Sequence, residues 1–162
     1  MIEAVASTAS ASPQDVIATC CTAARHAAKL LRTLPDATKA DALRRELIER
    51  GSIFQSSSDS ECIIHLMARS LQRNIPERME DALRRVEGAF SVVAMTRTKL
   101  IGVRDPLGVR PLVLGKLGDG WALSSETCAL DIIGAEFVRE IEPGEMVVIT
   151  PSGVESHFPF RR

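Results

Sequence analysis

The stretch LIGVRDPLGVRPLVLGKLGDGWALS, residues 100–124, predicts an antiparallel sheet. Apolar runs of strand length, Leu100–Val103 and Leu112–Leu117, stand on either side of a loop with two prolines and a glycine. A Gly-Asp-Gly tripeptide then supplies the turn residues that join the second run to Trp121–Ser124 as a β-hairpin. The second half of the chain therefore has the periodicity of strands.

The same pattern continues on both sides of this stretch. A short helix is predicted at Thr127–Ile133, because Gly134 follows as a typical residue at a helix C-terminus. Two later turns contain a proline, which fixes φ, and a glycine, which accepts positive φ. The remaining predicted strands are Ala89–Met95, Phe137–Val138, Met146–Thr150 and Val154–His157.

Three helices are predicted before the strands. The first runs from Asp41 to Gly51, the second opens with a capping box formed by Ser58 and Glu61, and the third begins at Pro76. Their predicted buried faces are Ala42, Leu43, Leu47 and Ile48, then Ile63, Ile64, Met67 and Leu71, then Met79, Ala82, Leu83 and Val86. Helices followed by antiparallel hairpins indicate an α+β fold.

The N-terminal 37 residues differ in composition from the rest. All glycines lie at or after Gly51, and all aromatic residues lie at or after Phe54. Segment 1–37 is rich in alanine, and its apolar spacing predicts one helix over about 13–33 behind a disordered tail. We therefore predict a divergent segment 1–37 and a domain over 38–162.

Composition excludes several functional classes. The chain has 162 residues and a net charge of −1, so it lacks the basic field typical of nucleic-acid binders. No apolar run approaches the roughly 20 residues that span a membrane. Its four cysteines form no CxxC pair, which argues against a zinc ribbon or a thioredoxin-type site. Scattered reduced thiols predict a cytoplasmic protein.

Individual cysteines and histidines give no sign of a catalytic group. Cys62 and Cys128 fall in or near predicted helices and are interpreted as buried core thiols. His65 is predicted in a helix and His157 near the end of the last strand, and the sequence indicates no acid–base partner for either.

Four consecutive blocks resemble the glutamine amidotransferase domain of the amidophosphoribosyltransferase family. They occur in the family's order and spacing and, from residue 38 onward, cover about three quarters of the chain. The blocks are LRRELIERGSIFQSSSDSE (43–61), VEGAFSVVAMT (86–96), LIGVRDPLGVRPLVLGKLGDG (100–120) and SSETCALDIIGAEFVREIEPGE (124–145), and the closing residues Val147–Ile149 belong to the same match.

This resemblance implies an Ntn-hydrolase fold, in which two antiparallel sheets are stacked between helices in αββα layers. In the family, an N-terminal cysteine attacks glutamine, and the released ammonia is used to make 5-phosphoribosylamine for purine synthesis. The family's Ser-Asp-x-Glu block implies that Asp59 binds the α-ammonium of glutamine. A carboxylate suits that role because it pairs with a cation through charge-assisted hydrogen bonds.

Several departures from the family pattern predict an incomplete domain without catalytic residues. The family begins with Cys-Gly, whereas this sequence begins with Met1-Ile2. The positions of the family's oxyanion block hold Leu34, which has no side-chain donor, and Pro35, which has no N–H. We therefore predict that the chain is inactive alone, with no catalytic residue, no metal ligand and no cofactor. The magnesium of the parent family belongs to its phosphoribosyltransferase domain.

Three functional interpretations stay open. The chain is an incomplete amidophosphoribosyltransferase domain, a non-catalytic module that binds glutamine or a protein partner, or a class II amidotransferase similar to asparagine synthetase. Glutamine is the expected ligand, with no nucleic acid and no membrane. Assembly as a homo-oligomer is also left open.

Overall fold

A computed structural model of the chain describes residues 4–6 and 37–160. The chain divides into two compact units. One unit, whose described residues are 37–88, is called the helical unit. The other, whose described residues are 89–160 and Ala4–Ala6, is called the sheet unit. The helix predicted over 13–33 lies outside the described residues.

The helical unit contains the three predicted helices, α1 (Ala37–Glu49), α2 (Ser60–Arg69) and α3 (Ile75–Leu83). They follow from clear end signals. Gly51 has a φ of 89°, which suits glycine just after α1. Asn74 caps α3, since its Oδ1 accepts the Glu77 N–H at 2.9 Å. The predicted existence and order of these helices are confirmed.

The buried face of α2 differs from the prediction. Cys62, Ile63 and Leu66 are buried, whereas Ile64 is 65% exposed and Leu71 is 98% exposed. At about 100° per residue, Cys62, Ile63 and Leu66 lie within one face, and Ile64 projects a further 100° beyond Ile63, away from that face. Leu71 lies beyond the end of the helix. In α3, Met79, Ala82 and Leu83 are buried as predicted, and Val86 lies past its last turn.

The sheet unit contains two four-stranded antiparallel sheets and a helix, α4 (Thr127–Ile133). Sheet A has the strand order β1-β5-β4-β6, and sheet B has the order β2-β3-β7-β8. The strands are β1 (Ala4–Ala6), β2 (Ser91–Met95), β3 (Leu100–Arg104), β4 (Val113–Leu117), β5 (Gly120–Ser124), β6 (Glu136–Glu140), β7 (Met146–Thr150) and β8 (Gly153–His157). The α+β class and the β4–β5 hairpin are confirmed.

The two sheets share one apolar core, to which β3, β4, β5 and β7 contribute. Its buried members are Leu100, Leu112, Leu114, Leu123, Ile141, Val147 and Ile149. Gly102 permits close packing, because a Cβ there would lie 2.7 Å from Leu123 Cδ1. A second cluster, containing Leu130 of α4 and Val113 of β4, joins the helix to sheet A.

The strand β1 corrects one expectation. Residues before position 13 were predicted to form a disordered tail, but Ala4–Ala6 pairs antiparallel with Trp121–Leu123 of β5. Three residues are too few to show a period, and strand pairing uses backbone groups that every residue here carries. The sequence therefore offered no signal for this strand.

Candidate functional site

Asp59 lies at the N-terminal end of α2, where its carboxylate makes no capping hydrogen bond. The residue is exposed, and its carbonyl accepts the Cys62 N–H at 3.0 Å as the helix begins. The N-terminus of a helix carries a partial positive charge, beside which an acidic side chain is well placed. Asp59 thus offers a negative charge at the surface.

Glu61 organises the loop that leads to Asp59. Its Oε1 accepts the Gln55 N–H at 2.7 Å, and its Oε2 accepts the Ser56 N–H at 2.9 Å and the Ser56 hydroxyl at 2.6 Å. The hydroxyl of Ser56 and the N–H of Gln55 lower the pKa of Glu61 to about 2. Its side chain, 16% exposed, is therefore an anion that holds the loop backbone.

This arrangement corrects the predicted capping box. In a capping box the glutamate is the third helical residue and turns back to the N–H of the capping residue. Here Asp59 occupies the capping position and Glu61 is only the second residue of α2. The Glu61 N–H donates to the carbonyl of Ser58 at 3.2 Å, and the carboxylate reaches further upstream, to Gln55 and Ser56.

Arg44, Phe54 and His65 pack beside the same loop. Arg44 of α1 lies 4.1 Å from the centroid of the Phe54 ring, and its Nη2 donates to the carbonyl of Ser56. The rings of Phe54 and His65 lie 4.4 Å apart. His65 Nε2 is 3.7 Å from Glu61 Oε1, an ion-pair distance when the imidazole is protonated. The sequence indicates no acid–base partner for His65, and within the described residues its Nε2 makes no hydrogen bond, although Glu61 lies nearby.

Both described thiols are poor nucleophiles. Cys62 is buried as predicted, and burial raises its pKa. Cys128 is exposed, so its prediction as a core thiol is wrong. Its Sγ donates to Glu126 Oε2 at 3.2 Å, and this hydrogen bond to an anion raises the thiol pKa. Nucleophilic attack requires the thiolate, which both environments disfavour. Cys20 and Cys21 lie outside the described residues.

The loop after β3 is held together by a buried arginine. The guanidinium of Arg104 donates to the carbonyls of Gly108 at 2.9 Å, Arg110 at 2.9 Å and Ile141 at 2.6 Å. It also lies 3.0 Å from Glu140 Oε1. The planar guanidinium presents its N–H donors in fixed directions, so this one side chain binds all three carbonyls and holds the loop together.

Asp105 follows in the same loop and is fully buried. Its Oδ1 accepts the Leu107 N–H at 2.8 Å, and its Oδ2 has no hydrogen-bond partner among the described residues. Its carbonyl accepts the Gly108 and Gly144 N–H groups, each at 3.0 Å. These contacts assign the loop a structural role within the sheet unit.

A family model described as a glutamine amidotransferase domain matches residues 37–131. The chain belongs to this family. The amidotransferase match covers α1 to α3 with Asp59 and Glu61, and it continues through β2 to β5 into α4.

Curated relatives of this amidotransferase chain are named amidophosphoribosyltransferase. The protein from Rhizobium etli is 53% identical over 113 residues, which are 68% of this chain and 23% of the relative. The protein from Bacillus subtilis is 43% identical over 114 residues, which are 70% of this chain and 24% of the relative. The chain thus spans about a quarter of the length of the curated relatives that it matches.

Solved structures support the same fold. The glutamine phosphoribosylpyrophosphate amidotransferase of Bacillus subtilis, solved with ADP and GMP, aligns with a TM-score of 0.74 at 40% identity. The alignment covers 76% of this chain and 27% of that one. A protein from Silicibacter pomeroyi described as a glutamine aminotransferase class-II domain protein aligns with a TM-score of 0.50 at 18% identity, covering 76% of this chain and 59% of that one. The predicted Ntn-hydrolase fold class is confirmed.

Sequence reasoning found Asp59 through the family motif but missed its supporting residues. The role of Asp59 stays a prediction, and its exposed position is compatible with that role. Glu61 was assigned to a capping box and Arg44 received no role, because the loop that they hold has no periodicity. Within residues 4–6 and 37–160, no group of three or more His, Cys, Asp or Glu is arranged to hold a metal ion. No helix in those residues is long and apolar enough to cross a membrane.

Proposed function

We propose that this chain is part of the glutamine amidotransferase domain of an amidophosphoribosyltransferase. Enzymes of that type use ammonia from glutamine to make 5-phosphoribosylamine for purine synthesis. The observation that carries the proposal is the 53% identity to the Rhizobium etli protein of that name over 113 residues.

In this proposal Asp59 receives the α-ammonium of glutamine. Its carboxylate is exposed and makes no capping bond, so no helix contact has to break before a ligand binds. A charge-assisted bond to an ammonium is stronger than a bond between neutral groups and favours ligands that carry the cation. Asp59 therefore selects for the amino-acid end of glutamine rather than for its carboxamide.

We also propose that the chain alone does not hydrolyse glutamine. The burial of Cys62 and the hydrogen bond from Cys128 to Glu126 both oppose formation of a thiolate. Binding and hydrolysis of glutamine are therefore separate properties, and the chain is expected to have only the first.

Two measurements on the purified chain test these statements. Calorimetric titration should detect glutamine binding that Asp59→Asn weakens roughly tenfold, the value of one charge-assisted contact. Equal affinity of the two proteins would refute the role of Asp59. Glutamate release should not exceed that of a variant with all four cysteines replaced by serine, and cysteine-dependent release would refute the proposed inactivity.

A further inference from the structure

The loop before α2 is fixed from both sides at Ser56. Glu61 accepts the N–H and the hydroxyl of Ser56, while Arg44 donates to the Ser56 carbonyl. Each polar group of this one residue is therefore engaged by a charged side chain from a helix. Loops run over the protein surface, so without these two side chains the polar groups of Ser56 would be left to water.

The hydroxyl of Ser56 links Glu61 by hydrogen bonds to the backbone next to Asp59. It donates to Glu61 Oε2 at 2.6 Å and accepts the N–H of Ser58 at 3.1 Å. Ser58 directly precedes Asp59, and its Oγ lies 2.6 Å from the Oγ of Ser60 on the other side of Asp59. A chain of three hydrogen bonds thus runs from Glu61 through Ser56 and Ser58 to the residues that flank Asp59.

We propose that Glu61 is a positioning residue that orients Asp59 toward the ammonium group of glutamine through Ser56 and Ser58. This inference rests on the proposed function, because it assigns Asp59 the ammonium. Glu61 itself does not touch the ligand. Its three hydrogen bonds to Gln55 and Ser56 set the backbone from which the Asp59 carboxylate projects.

A purely structural role for Glu61 predicts different behaviour. A glutamate that only stabilises α2 changes the folded fraction and lowers the apparent affinity for every ligand by the same factor. A positioning glutamate changes the preference for ligands that carry the ammonium. The informative quantity is therefore the ratio of two affinities, because a common loss of folded protein cancels in it.

The experiment measures binding of glutamine and of 4-carbamoylbutanoate, which lacks only the α-ammonium, to the full chain. The wild type should prefer glutamine roughly tenfold, as expected for one charge-assisted bond. Glu61→Gln replaces one carboxylate oxygen by an NH₂ group, which faces the N–H and hydroxyl donors of Gln55 and Ser56 and cannot accept from them. The variant should therefore reduce the ratio of the glutamine affinity to the 4-carbamoylbutanoate affinity to about 1. The matched control Glu77→Gln makes the same change in the first turn of α3 and should keep the wild-type ratio.

Ser56→Ala keeps Glu61 but removes the hydroxyl that joins Glu61 to Ser58, so it should reduce the ratio even if Glu61→Gln folds poorly. Hydrogen exchange of the Gln55 and Ser56 amides provides a second readout without ligand, since both should exchange faster in Glu61→Gln. An unchanged ratio in Ser56→Ala and Glu61→Gln would overturn the positioning role and leave the proposed function intact. A wild type without preference for glutamine would refute the role of Asp59, and the inference with it.

Discussion

Glu61 in the helical unit and Glu145 in the sheet unit are two carboxylates that each accept several hydrogen bonds from neighbouring residues. Glu145 is 1% exposed, and both terminal guanidinium nitrogens of Arg139 donate to it, at 2.6 and 2.8 Å. It also accepts the Glu142 N–H at 2.7 Å and the Ser156 hydroxyl at 2.7 Å. Glu61 also binds two backbone N–H groups and a serine hydroxyl, but without a guanidinium partner in the described residues.

The two networks differ in burial, and under the proposal above only the network of Glu61 supports a binding site. Burial raises the pKa of Glu145, but its bonds to Arg139, Glu142 and Ser156 outweigh burial and lower the pKa below 4.5. Both networks have an exposed carboxylate nearby, Glu142 beside Glu145 and Asp59 beside Glu61, but only Asp59 lies in the segment that resembles the family's Ser-Asp-x-Glu block. The network of Glu61 leaves Asp59 exposed two residues away, so its rigidity can serve recognition.

Removal of the cation from the buried network should have the largest effect. Arg139→Ala leaves Glu145 buried without its cation, and because the Arg139 side chain is itself 37% exposed, we expect a cost at the lower end of the buried-pair range, about 3 kcal/mol. Chemical denaturation should show this loss of stability, with Arg97→Ala, an exposed arginine, as the control at less than about 0.5 kcal/mol. Equal losses of stability in Arg139→Ala and Arg97→Ala would contradict a structural role for the network of Glu145.

Filling the space at Gly102 tests how tightly the sheet unit is packed around its core. Gly102→Ala places a Cβ 2.7 Å from Leu123 Cδ1 and 3.2 Å from Val147 Cγ2. Overpacking of a core costs about 1–3 kcal/mol. Urea unfolding should report a loss in this range, and the second change Leu123→Val should recover part of it. A neutral Gly102→Ala would show that the two sheets are loosely packed.

Glu61→Gln should cost less, about 1.5 kcal/mol, because one charge-assisted cluster at a partly exposed site is lost. The pKa of Glu61 is about 2 in the folded chain against an ordinary value of 4.5. A carboxylate whose pKa is lower in the folded chain stabilises the fold fully at pH values above its unfolded-state pKa. This stabilisation is lost as the pH falls through the folded-state pKa. Denaturation at several pH values should show the difference between wild type and variant at pH 7, shrinking below about pH 4.5. A difference that grows on acidification would contradict the assignment.

Asp59→Asn should have the smallest effect on stability, below about 0.5 kcal/mol, because the carboxylate is exposed and makes no capping bond. The same change is expected to weaken glutamine binding. A thermal melt combined with titration separates the two quantities. Substantial destabilisation by Asp59→Asn would make Asp59 a structural residue like Glu145 and remove the contrast between the two networks.

Much of the fold could be predicted because its signals are local. Thr127–Ile133 and Met146–Thr150 match their predicted bounds, since glycine or proline ends each segment. The exposure of Cys128 and Ile64 could not be predicted, because a short helix shows which residues are apolar but not which side its neighbours cover. The bonds from Glu61 to Gln55 and Ser56 also escaped prediction, since they depend on the path of a loop.

The site was predicted only where a family motif marked it. Asp59 follows from the Ser-Asp-x-Glu block, whereas no motif connects Arg44 to Ser56, twelve residues later. That contact depends on how α1 and the loop pack, a tertiary property that periodicity does not carry. The segment 1–37 and the domain boundary at 38 stay predictions.

The central claim, that glutamine is bound at the start of α2 through Asp59, is tested most directly by nuclear magnetic resonance. Amide signals of the full chain are recorded during titration with glutamine and with 4-carbamoylbutanoate. We expect glutamine to shift the amides of residues 55–62 most strongly, and we expect those shifts to be lost in Asp59→Asn. Shifts confined to other residues, or equal shifts in wild type and Asp59→Asn, would contradict the claim.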